Sequence, residues 1–182
     1  MDWNEREGRY NWELVFCELY AGGKYDNTNT SYNYSLGLNG LGLCATQFAS
    51  EFMDVTIHRD GFTYSLHFEK GENVGGLEKE PTRFKQTGST IRWKPDLEVF
   101  TDIDIPLEFY METLKKQAVV NPNLTFTFYN ETSEGMELYE FCYPNGIVDY
   151  MKERVGEGAL TDVQYAEAER RGRDREDKEE YK

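Results

Sequence analysis

A β-hairpin is predicted by the stretch MDVTIHR-DG-FTYSLHF, residues 53–68. Apolar and polar residues alternate on both sides of Asp60-Gly61, a pair that favours a two-residue turn between antiparallel strands. Such a turn pairs Arg59 with Phe62, and this register brings the apolar side chains of both strands to one face. That face carries Met53, Val55, Ile57, Tyr64, Leu66 and Phe68. The hairpin therefore predicts a sheet with one apolar face.

Helices and further strands are predicted on both sides of the hairpin. The helices are expected at 10–21, 40–52, 106–120 and 146–154, and the strands at 89–93, 124–129 and 137–142. Residues 70–88 are rich in Gly, Lys and Glu, which indicates an exposed connection. Because the hydrophobic period changes repeatedly between about 2 and about 3.6 residues, the chain is expected to form a layered α/β or α+β domain.

The composition indicates an acidic globular protein. The 182 residues include 34 Asp and Glu against 20 Lys and Arg, which gives a net charge of −14, and aromatic residues make up 15 %. The aromatic content excludes disorder from end to end, and the acidic balance argues against a free-standing nucleic-acid binder. The cysteines are few and scattered, and the sequence has neither a signal-peptide pattern nor a long apolar run. These features predict a cytoplasmic protein without a membrane segment.

A glycine-rich segment precedes the second predicted helix. Gly37 lies near the end of a long loop predicted at 22–39, and Gly40 and Gly42 follow that loop. Glycine lets the backbone approach a ligand closely and a helix N-terminus attracts anions, so the segment is a candidate phosphate cradle. An ordinary loop and helix cap is the alternative. Lys24, at the other end of the loop, either closes over a polyphosphate or is a solvated side chain. The spacing matches neither the dinucleotide fingerprint nor the P-loop.

Other catalytic arrangements do not emerge from the sequence. The hairpin register sends His58 and His67 to the polar face of the sheet, so each is interpreted as a surface residue rather than a metal ligand or catalytic base. No Ser-His-Asp or Cys-His set follows from these positions. No carboxylate stands in an apolar setting that would tune its pKa.

Three ordered segments resemble the ATPase domain of the type IIA topoisomerases. They are GGKYD at 22–26, SY at 31–32 followed by GLNGLG at 37–42, and TGS at 87–89 followed by WKPDLEVF at 93–100. The domain belongs to the GHKL superfamily, and the sequence is most similar to the B subunits of bacterial DNA gyrase and topoisomerase IV, from residue 2 to about residue 165. The resemblance implies a partial GHKL (Bergerat) fold, a two-layer α/β sandwich whose mixed sheet packs on helices, with an ATP lid at 22–39.

The resemblance also implies which residues bind ATP. Lys24 corresponds to the lid lysine that reaches the triphosphate, Tyr32 to a lid tyrosine near the nucleotide, and Ser89 to a Thr near the adenine. The backbone around the phosphates corresponds to Gly37, Leu38, Asn39, Gly40, Leu41, Gly42 and Leu43. Asn39 stands where many gyrases have His, and its amide keeps a hydrogen-bond donor.

Two parts of the family's machinery have no counterpart in the sequence. The general-base Glu, the Mg²⁺-binding Asn and the adenine-binding D-x-G-x-G-[IV]-P motif lie upstream in the family, and this motif does not occur in the 182 residues. No catalytic residue and no metal ligand is therefore assigned. The resemblance implies a truncated chain, in which 1–145 form a partial ATPase domain. Residues 146–182 would begin a transducer domain and include a charged, poorly ordered tail.

The implied function is the ATP-binding part of a type II DNA topoisomerase that couples ATP binding and hydrolysis to passage of duplex DNA. Its partners would be ATP with Mg²⁺, DNA, a gyrase A or topoisomerase IV A type subunit, and a second copy in an ATP-dependent homodimer. The chain alone is expected to hydrolyse ATP negligibly and to bind it weakly. A truncated, non-catalytic nucleotide-binding or interaction module of GHKL ancestry and another GHKL ATPase are the alternatives. The segment does not distinguish gyrase from topoisomerase IV.

Overall fold

The computed structural model describes residues 1–21, 40–83 and 85–168, and the chain divides into two compact units, Met1–Ile103 and Asp104–Lys182. The first unit contains, in chain order, β1 (Trp3–Asn4), β2 (Arg9–Tyr10), α1 (Asn11–Cys17), α2 (Gly42–Phe48), β3 (Ser50–Arg59), β4 (Phe62–Glu69), β5 (Glu72–Pro81) and β6 (Gly88–Pro95). The last four strands form an antiparallel sheet in the order β5-β4-β3-β6, and β1 pairs with β2. The predicted α/β class is confirmed.

The predicted hairpin is confirmed together with its register. Strand β3 pairs with β4 so that Arg59 lies opposite Phe62. Asp60 and Gly61 both have positive φ, 53° and 76°, as the type I′ turn of a two-residue hairpin requires. Of the side chains predicted on the apolar face, all are buried except Ile57, which is half-buried.

Helix α1 covers the apolar face of the sheet. Its inward residues Trp12 and Phe16 lie one turn apart, and the rings of Phe16 and Phe68 are 5.7 Å apart between centroids. The buried core of the unit consists of Trp12, Phe16, Met53, Val55, Leu66 and Phe68. In the core of the first unit, one turn of α1 therefore packs on the centre of the hairpin.

Helices α1 and α2 are both shorter than their periodicity predicts. Helix α1 ends at Cys17 rather than residue 21, and the following Leu19 and Tyr20 are more than half exposed, so a longer helix would gain little burial. Helix α2 ends at Phe48 rather than residue 52. Residues from Ser50 onward join β3, where they pair with β6, and this backbone pairing overrides the helical spacing.

The exposed connection predicted at 70–88 is wrong over most of its length, because strand β5 occupies Glu72–Pro81. This strand lies at the edge of the sheet and pairs with β4 through backbone hydrogen bonds, with an irregularity between Ser65 and His67. Its side chains are mainly exposed and include several charges. Charged residues are common on edge strands because they discourage pairing with other chains, so side-chain burial gives no signal for β5.

The second unit has its own small core. It contains α3 (Leu107–Val120), β7 (Phe126–Thr132), β8 (Gly135–Phe141) and α4 (Ile147–Val155), followed by a 3₁₀ turn at Gly156–Gly158. Ala118, Val119 and Tyr143 are buried and contact Phe126, Phe141 and Tyr150. The helices and strands predicted in this region are confirmed with shifted ends. The charged tail predicted at the C-terminus lies, from residue 169 onward, outside the described residues.

A polar cluster joins the two helices of the second unit. Lys115 on α3 forms an ion pair with Glu153 on α4, and the Tyr143 hydroxyl donates to Glu153 at 2.5 Å. The hydrogen bond from Lys115 holds the pKa of Glu153 below its ordinary value, and burial raises the pKa of Tyr143. The cluster therefore keeps Glu153 ionised, as a buried tyrosine donor and a nearby ammonium group both favour the carboxylate.

The turn between β4 and β5 leads to a first prediction, about the stability of the chain. Gly71 has φ +94°, and a Cβ there would lie 2.7 Å from Cδ1 of Phe48. Gly71→Ala is expected to lower the free energy of unfolding by about 2–3 kcal/mol, because it combines a left-handed backbone with a displaced aromatic ring. Gly61→Ala is the matched control, since Gly61 has φ +76° with nothing near its Cβ. Urea unfolding measures both, and an equal loss in the two variants would contradict the prediction.

Candidate functional site

The first unit contains a cavity of about 200 Å³ between α1, α2 and the strands β3 and β6. It is lined by Met1, Asn11, Trp12, Val15, Phe16, Leu43, Val55, Ile57, Ser89 and Ile91. The wall is mostly apolar, and three of its side chains carry polar groups, those of Asn11, Trp12 and Ser89. A mainly apolar concavity with few polar groups is the usual form of a small-molecule site.

The sheet register brings the two strand walls together. Val55 lies opposite Ile91 and Ile57 lies opposite Ser89. Because alternate residues of a strand face the same side, all four side chains point toward α1. Ser89 is exposed and stands at the rim of the cavity. The strand side of the cavity is thus formed by side chains of β3 and β6 that lie on the same face of the sheet as the core.

The two helices supply the opposite wall. On α1 the residues Trp12, Val15 and Phe16 fall on one side of the helix at spacings of three and four. On α2 the second residue, Leu43, reaches the cavity. Val15 and Leu43 are about half exposed, at 47 % and 40 %, so these two side chains of the wall also reach solvent.

The predicted ATP-binding residues separate into three groups. Leu43 and Ser89 line the same cavity, although they are far apart in sequence. Gly40, Leu41 and Gly42 lie at the start of α2 beside Leu43, and Gly40 has φ +62°, a conformation that favours glycine. Lys24, Tyr32, Gly37, Leu38 and Asn39 lie in 22–39, outside the described residues.

Of the ten described residues that line the cavity, sequence reasoning assigned a binding role to two, Leu43 and Ser89, and missed the other eight. Trp12, Val15 and Phe16 fall in the helix predicted at 10–21 and Ile91 in the strand predicted at 89–93, without a ligand role. The available signal was the alternation of Ser89 and Ile91, which places them on one face of the same strand. Pairing that face with the inner side of α1 needed the strand order, which the sequence does not state.

The cavity wall offers binding groups rather than proton-transfer groups. Among the residues that the structure describes, those that line the cavity include no carboxylate and no histidine. Within the described ranges 1–21, 40–83 and 85–168, no group of three or more His, Cys, Asp and Glu is arranged to hold a metal ion. The part of the site that the structure describes can therefore hold an apolar group and offer it hydrogen bonds, and it supplies no acid, base or metal centre of its own.

Both histidines lie away from the cavity, on the other face of the sheet. His67 Nδ1 is 2.6 Å from Asp54 Oδ1, and its Nε2 is 3.2 Å from Glu69 Oε1. The hydrogen bond to Asp54, together with a second to Glu69, raises the pKa of His67 above its ordinary value. His58 Nδ1 lies 3.0 Å from Thr63 Oγ1. Both side chains are engaged with their strand neighbours, in keeping with the interpretation of surface residues.

A second cavity of about 430 Å³ adjoins the same helix. It is lined by Met1, Asp2, Tyr10, Trp12, Glu13, Tyr64, Leu77 and Lys79. This wall is more polar, with two carboxylates and one ammonium group. Lys79 Nζ also lies 4.0 Å from the centroid of the Phe62 ring, a cation–π contact. Met1 and Trp12 are common to the walls of the two cavities.

No helix in the part of the chain that the structure describes is both long and apolar enough to span a bilayer.

Known proteins resemble this chain in sequence over most of its length. It is 35 % identical to the B subunit of DNA topoisomerase 4 from Salmonella typhimurium over 156 residues, which are 85 % of this chain and 24 % of that protein. It is 33 % identical to the B subunit of DNA gyrase from Thermotoga maritima over 164 residues, 90 % of this chain and 25 % of that protein. The chain thus spans about a quarter of the length of these curated relatives. No family model matches the sequence.

Solved structures share the fold. The 43K ATPase domain of Thermus thermophilus gyrase B, in complex with an aminocoumarin, superposes with a TM-score of 0.65 at 18 % identity, covering 86 % of this chain and 37 % of that one. The topoisomerase IV ATP-binding domain of Francisella tularensis, in complex with a small-molecule inhibitor, gives a TM-score of 0.67 at 23 % identity and covers 92 % of this chain and 43 % of that one. The α/β fold expected for this chain is therefore shared with the part of these two domains that it covers.

Proposed function

We propose, from the homology of this chain to the B subunits of DNA topoisomerase IV and DNA gyrase, that it is the ATP-binding part of an ATP-hydrolysing type II DNA topoisomerase. The observation that carries the proposal is the 35 % identity over 85 % of the chain. The cavity between α1, α2, β3 and β6 supports it, because two residues expected to bind ATP, Leu43 and Ser89, meet there.

We assign the adenine to this cavity. Its apolar walls suit the faces of a purine base, and the Ser89 hydroxyl at the rim can donate to or accept from the edge of the base. Gly40, Leu41 and Gly42 adjoin Leu43, so phosphates extending from the base would run along the start of α2. Gly37, Leu38 and Asn39 are proposed to continue this phosphate contact, with Lys24 and Tyr32 closing over the nucleotide as parts of a lid.

ATP hydrolysis needs groups that the described residues do not supply. In phosphoryl transfer a positioned base or water-orienting residue and a metal ion carry much of the catalysis. The described ranges hold no metal-binding group of three ligands, and none of the described residues that line the cavity carries a carboxylate. The described residues do not fit Mg²⁺ on their own, and we assign them the binding of the nucleotide rather than a step of its hydrolysis.

The wider assignment follows the relatives. We propose that ATP binding and hydrolysis are coupled to passage of duplex DNA, in a cytoplasmic enzyme that works with a gyrase A or topoisomerase IV A type subunit and as an ATP-dependent homodimer. We also propose that residues 1–145 belong to the ATPase domain and that 146–182 begin the transducer domain. These proposals rest on homology to proteins of which this chain spans about a quarter.

Titration of the 182-residue chain with a non-hydrolysable ATP analogue and Mg²⁺, by isothermal calorimetry up to millimolar ligand, tests the function. Saturable binding with a Kd between about 1 μM and about 1 mM is expected, equivalent to about 8 to 4 kcal/mol. Phosphate release from ATP should stay at background. Absence of binding by a folded sample would contradict the proposal for this chain. Turnover that Lys24→Ala abolishes would overturn the expectation that the chain alone is catalytically silent.

A further inference from the structure

Two of the three cysteines lie where helix α1 ends and helix α2 begins. Cys17 is the last residue of α1 and Cys44 is the third residue of α2, and the two helices are in contact. The residues beside them in the chain, Phe16 and Leu43, line the same cavity of about 200 Å³. The fold therefore brings two thiols from separate parts of the sequence to one boundary between helices.

The electrostatic surroundings of the two thiols agree with this placement. Burial raises the pKa of the Cys17 thiol, and the charges of Cys44 and Glu13 raise it further. Burial also raises the pKa of the Cys44 thiol, with a contribution from Glu18, the residue that follows Cys17. The effect of one charge on another falls off with distance. The pairings of Cys17 with Cys44 and of Cys44 with Glu18 thus both place Cys44 beside the C-terminal end of α1.

The two cysteines differ in their access to solvent. Cys17 is exposed, whereas Cys44 is 0 % exposed. A small oxidant from solvent therefore reaches Cys17 first, and Cys44 is the second thiol beside it. Helix α1 ends at Cys17, and the backbone of Glu18 is already extended. Because helix ends fray easily, this last residue can turn toward Cys44 without unfolding the buried part of α1.

We propose that Cys17 and Cys44 are a redox-sensitive pair, in which a peroxide oxidises Cys17 and Cys44 converts the product to a disulfide between α1 and α2. In the first step the small thiolate fraction of Cys17 attacks one oxygen of hydrogen peroxide. The O–O bond breaks, hydroxide leaves, and Cys17 becomes a sulfenic acid. In the second step the sulfur of Cys44 attacks that of Cys17, the S–O bond breaks, and hydroxide leaves again.

The two steps balance without a further reactant. The two sulfurs supply two electrons to the peroxide, and the two protons lost by the thiols convert the hydroxides to water. Two thiols and one hydrogen peroxide thus give one disulfide and two water molecules. The inference does not depend on the proposed function, since neither step involves a nucleotide.

The disulfide would link the two helix walls of the cavity. It closes a loop that contains residues 18–43 of the sequence, and a closed loop lowers the entropy of the unfolded chain. In a reducing compartment such a bond is usually transient and serves redox sensing rather than permanent stabilisation. Since Cys17 is exposed, a small thiol such as glutathione can reach the bond and reverse it.

The first test maps disulfides in the whole chain. Hydrogen peroxide is added to the folded protein, the remaining thiols are blocked with iodoacetamide, and peptides are analysed by mass spectrometry without reduction. A link between Cys17 and Cys44 within one molecule is expected, and reduced glutathione should restore both thiols. Oxidation of Cys17 to sulfinic or sulfonic acid without a link, or a link between Cys17 and Cys142, would contradict the proposal.

Cys142→Ser is the matched control. Cys142 is exposed like Cys17 but belongs to the second unit, so this variant should form the link as the wild type does. Cys17→Ser should form no link and leave the buried Cys44 unmodified by peroxide. Because Cys17 is exposed, this variant should fold. Loss of the link in Cys142→Ser would assign the second thiol to Cys142 and overturn the proposal.

An equilibrium measurement separates a pair that the fold holds together from chance pairing in a flexible chain. Cys142→Ser is equilibrated in mixtures of reduced and oxidised glutathione, once folded and once in urea. If native packing favours the bond, the equilibrium constant for forming the link should be higher in the folded protein by about tenfold or more. An equal or lower constant in the folded protein would show that native packing does not favour the bond, and the proposal would fail.

Discussion

Phe68→Ala is expected to remove most of the stability of the first unit, lowering its free energy of unfolding by about 3–5 kcal/mol. Phe68 is 1 % exposed and packs against both inward aromatic residues of α1, with ring centroids 5.7 Å from Phe16 and 6.4 Å from Trp12. Its removal opens a cavity where the helix meets the hairpin. Because a domain is stable by only about 5–15 kcal/mol, such a loss would leave the unit marginal.

Urea unfolding followed by tryptophan fluorescence measures the unfolding of the first unit specifically. The chain has three tryptophans, Trp3, Trp12 and Trp93, and all lie in Met1–Ile103. Phe62→Ala is the control, since Phe62 begins the same strand but is half-buried. It should cost about 1 kcal/mol. A midpoint for Phe68→Ala no lower than that for Phe62→Ala would show that α1 is not held by this contact.

Ser89→Phe is expected to abolish nucleotide binding while leaving the chain folded. Ser89 stands at the rim of the cavity, opposite Ile57 in the sheet, so a phenyl group there would occupy the space assigned to the base. The phenyl ring and the base would compete for the same cavity of about 200 Å³. Because Ser89 is exposed, the new ring adds contacts without overpacking the core, and the stability should change little.

Thr90→Phe provides the matched control for this variant. Thr90 is the next residue of β6, is also exposed, and lies opposite Thr56 on the other face of the sheet. The Thr90→Phe variant should bind the non-hydrolysable ATP analogue as tightly as the wild type does in the same calorimetric titration. Unchanged binding by Ser89→Phe, or equal losses in both variants, would place the base elsewhere in the molecule.

Local sequence rules accounted for the hairpin and for most element positions. The alternation at 53–59 and 62–68 and the pair Asp60-Gly61 specify both the register and the turn, because a two-residue period and a turn that needs two positive φ values leave few alternatives. The helices of the second unit were predicted close to their observed bounds, since a proline or a glycine precedes each of them at Pro106 and Gly146.

Local sequence rules do not predict strand β5. Gly, Lys and Glu are poor strand formers, and the side chains of Glu72–Pro81 gain little burial. The segment is a strand because β4 presents a free row of backbone hydrogen-bonding groups beside it. In the same way Phe52 continues a helical spacing but belongs to β3, whose pairing with both neighbouring strands stabilises the extended backbone.

The resemblance to type IIA topoisomerase B subunits, the fold class and the order of the motifs were readable from the sequence alone, because they depend on residues close together in the chain or on fixed motif order. The position of the proposed ligand cavity was not, because Trp12, Leu43, Ser89 and Ile91 come to line one cavity only when α1 and α2 pack on a sheet whose order places β6 beside β3. That order is decided by long-range backbone pairing and by burial of the apolar face, and neither leaves a local signature. Only the tertiary structure therefore places Trp12 in the wall of this cavity.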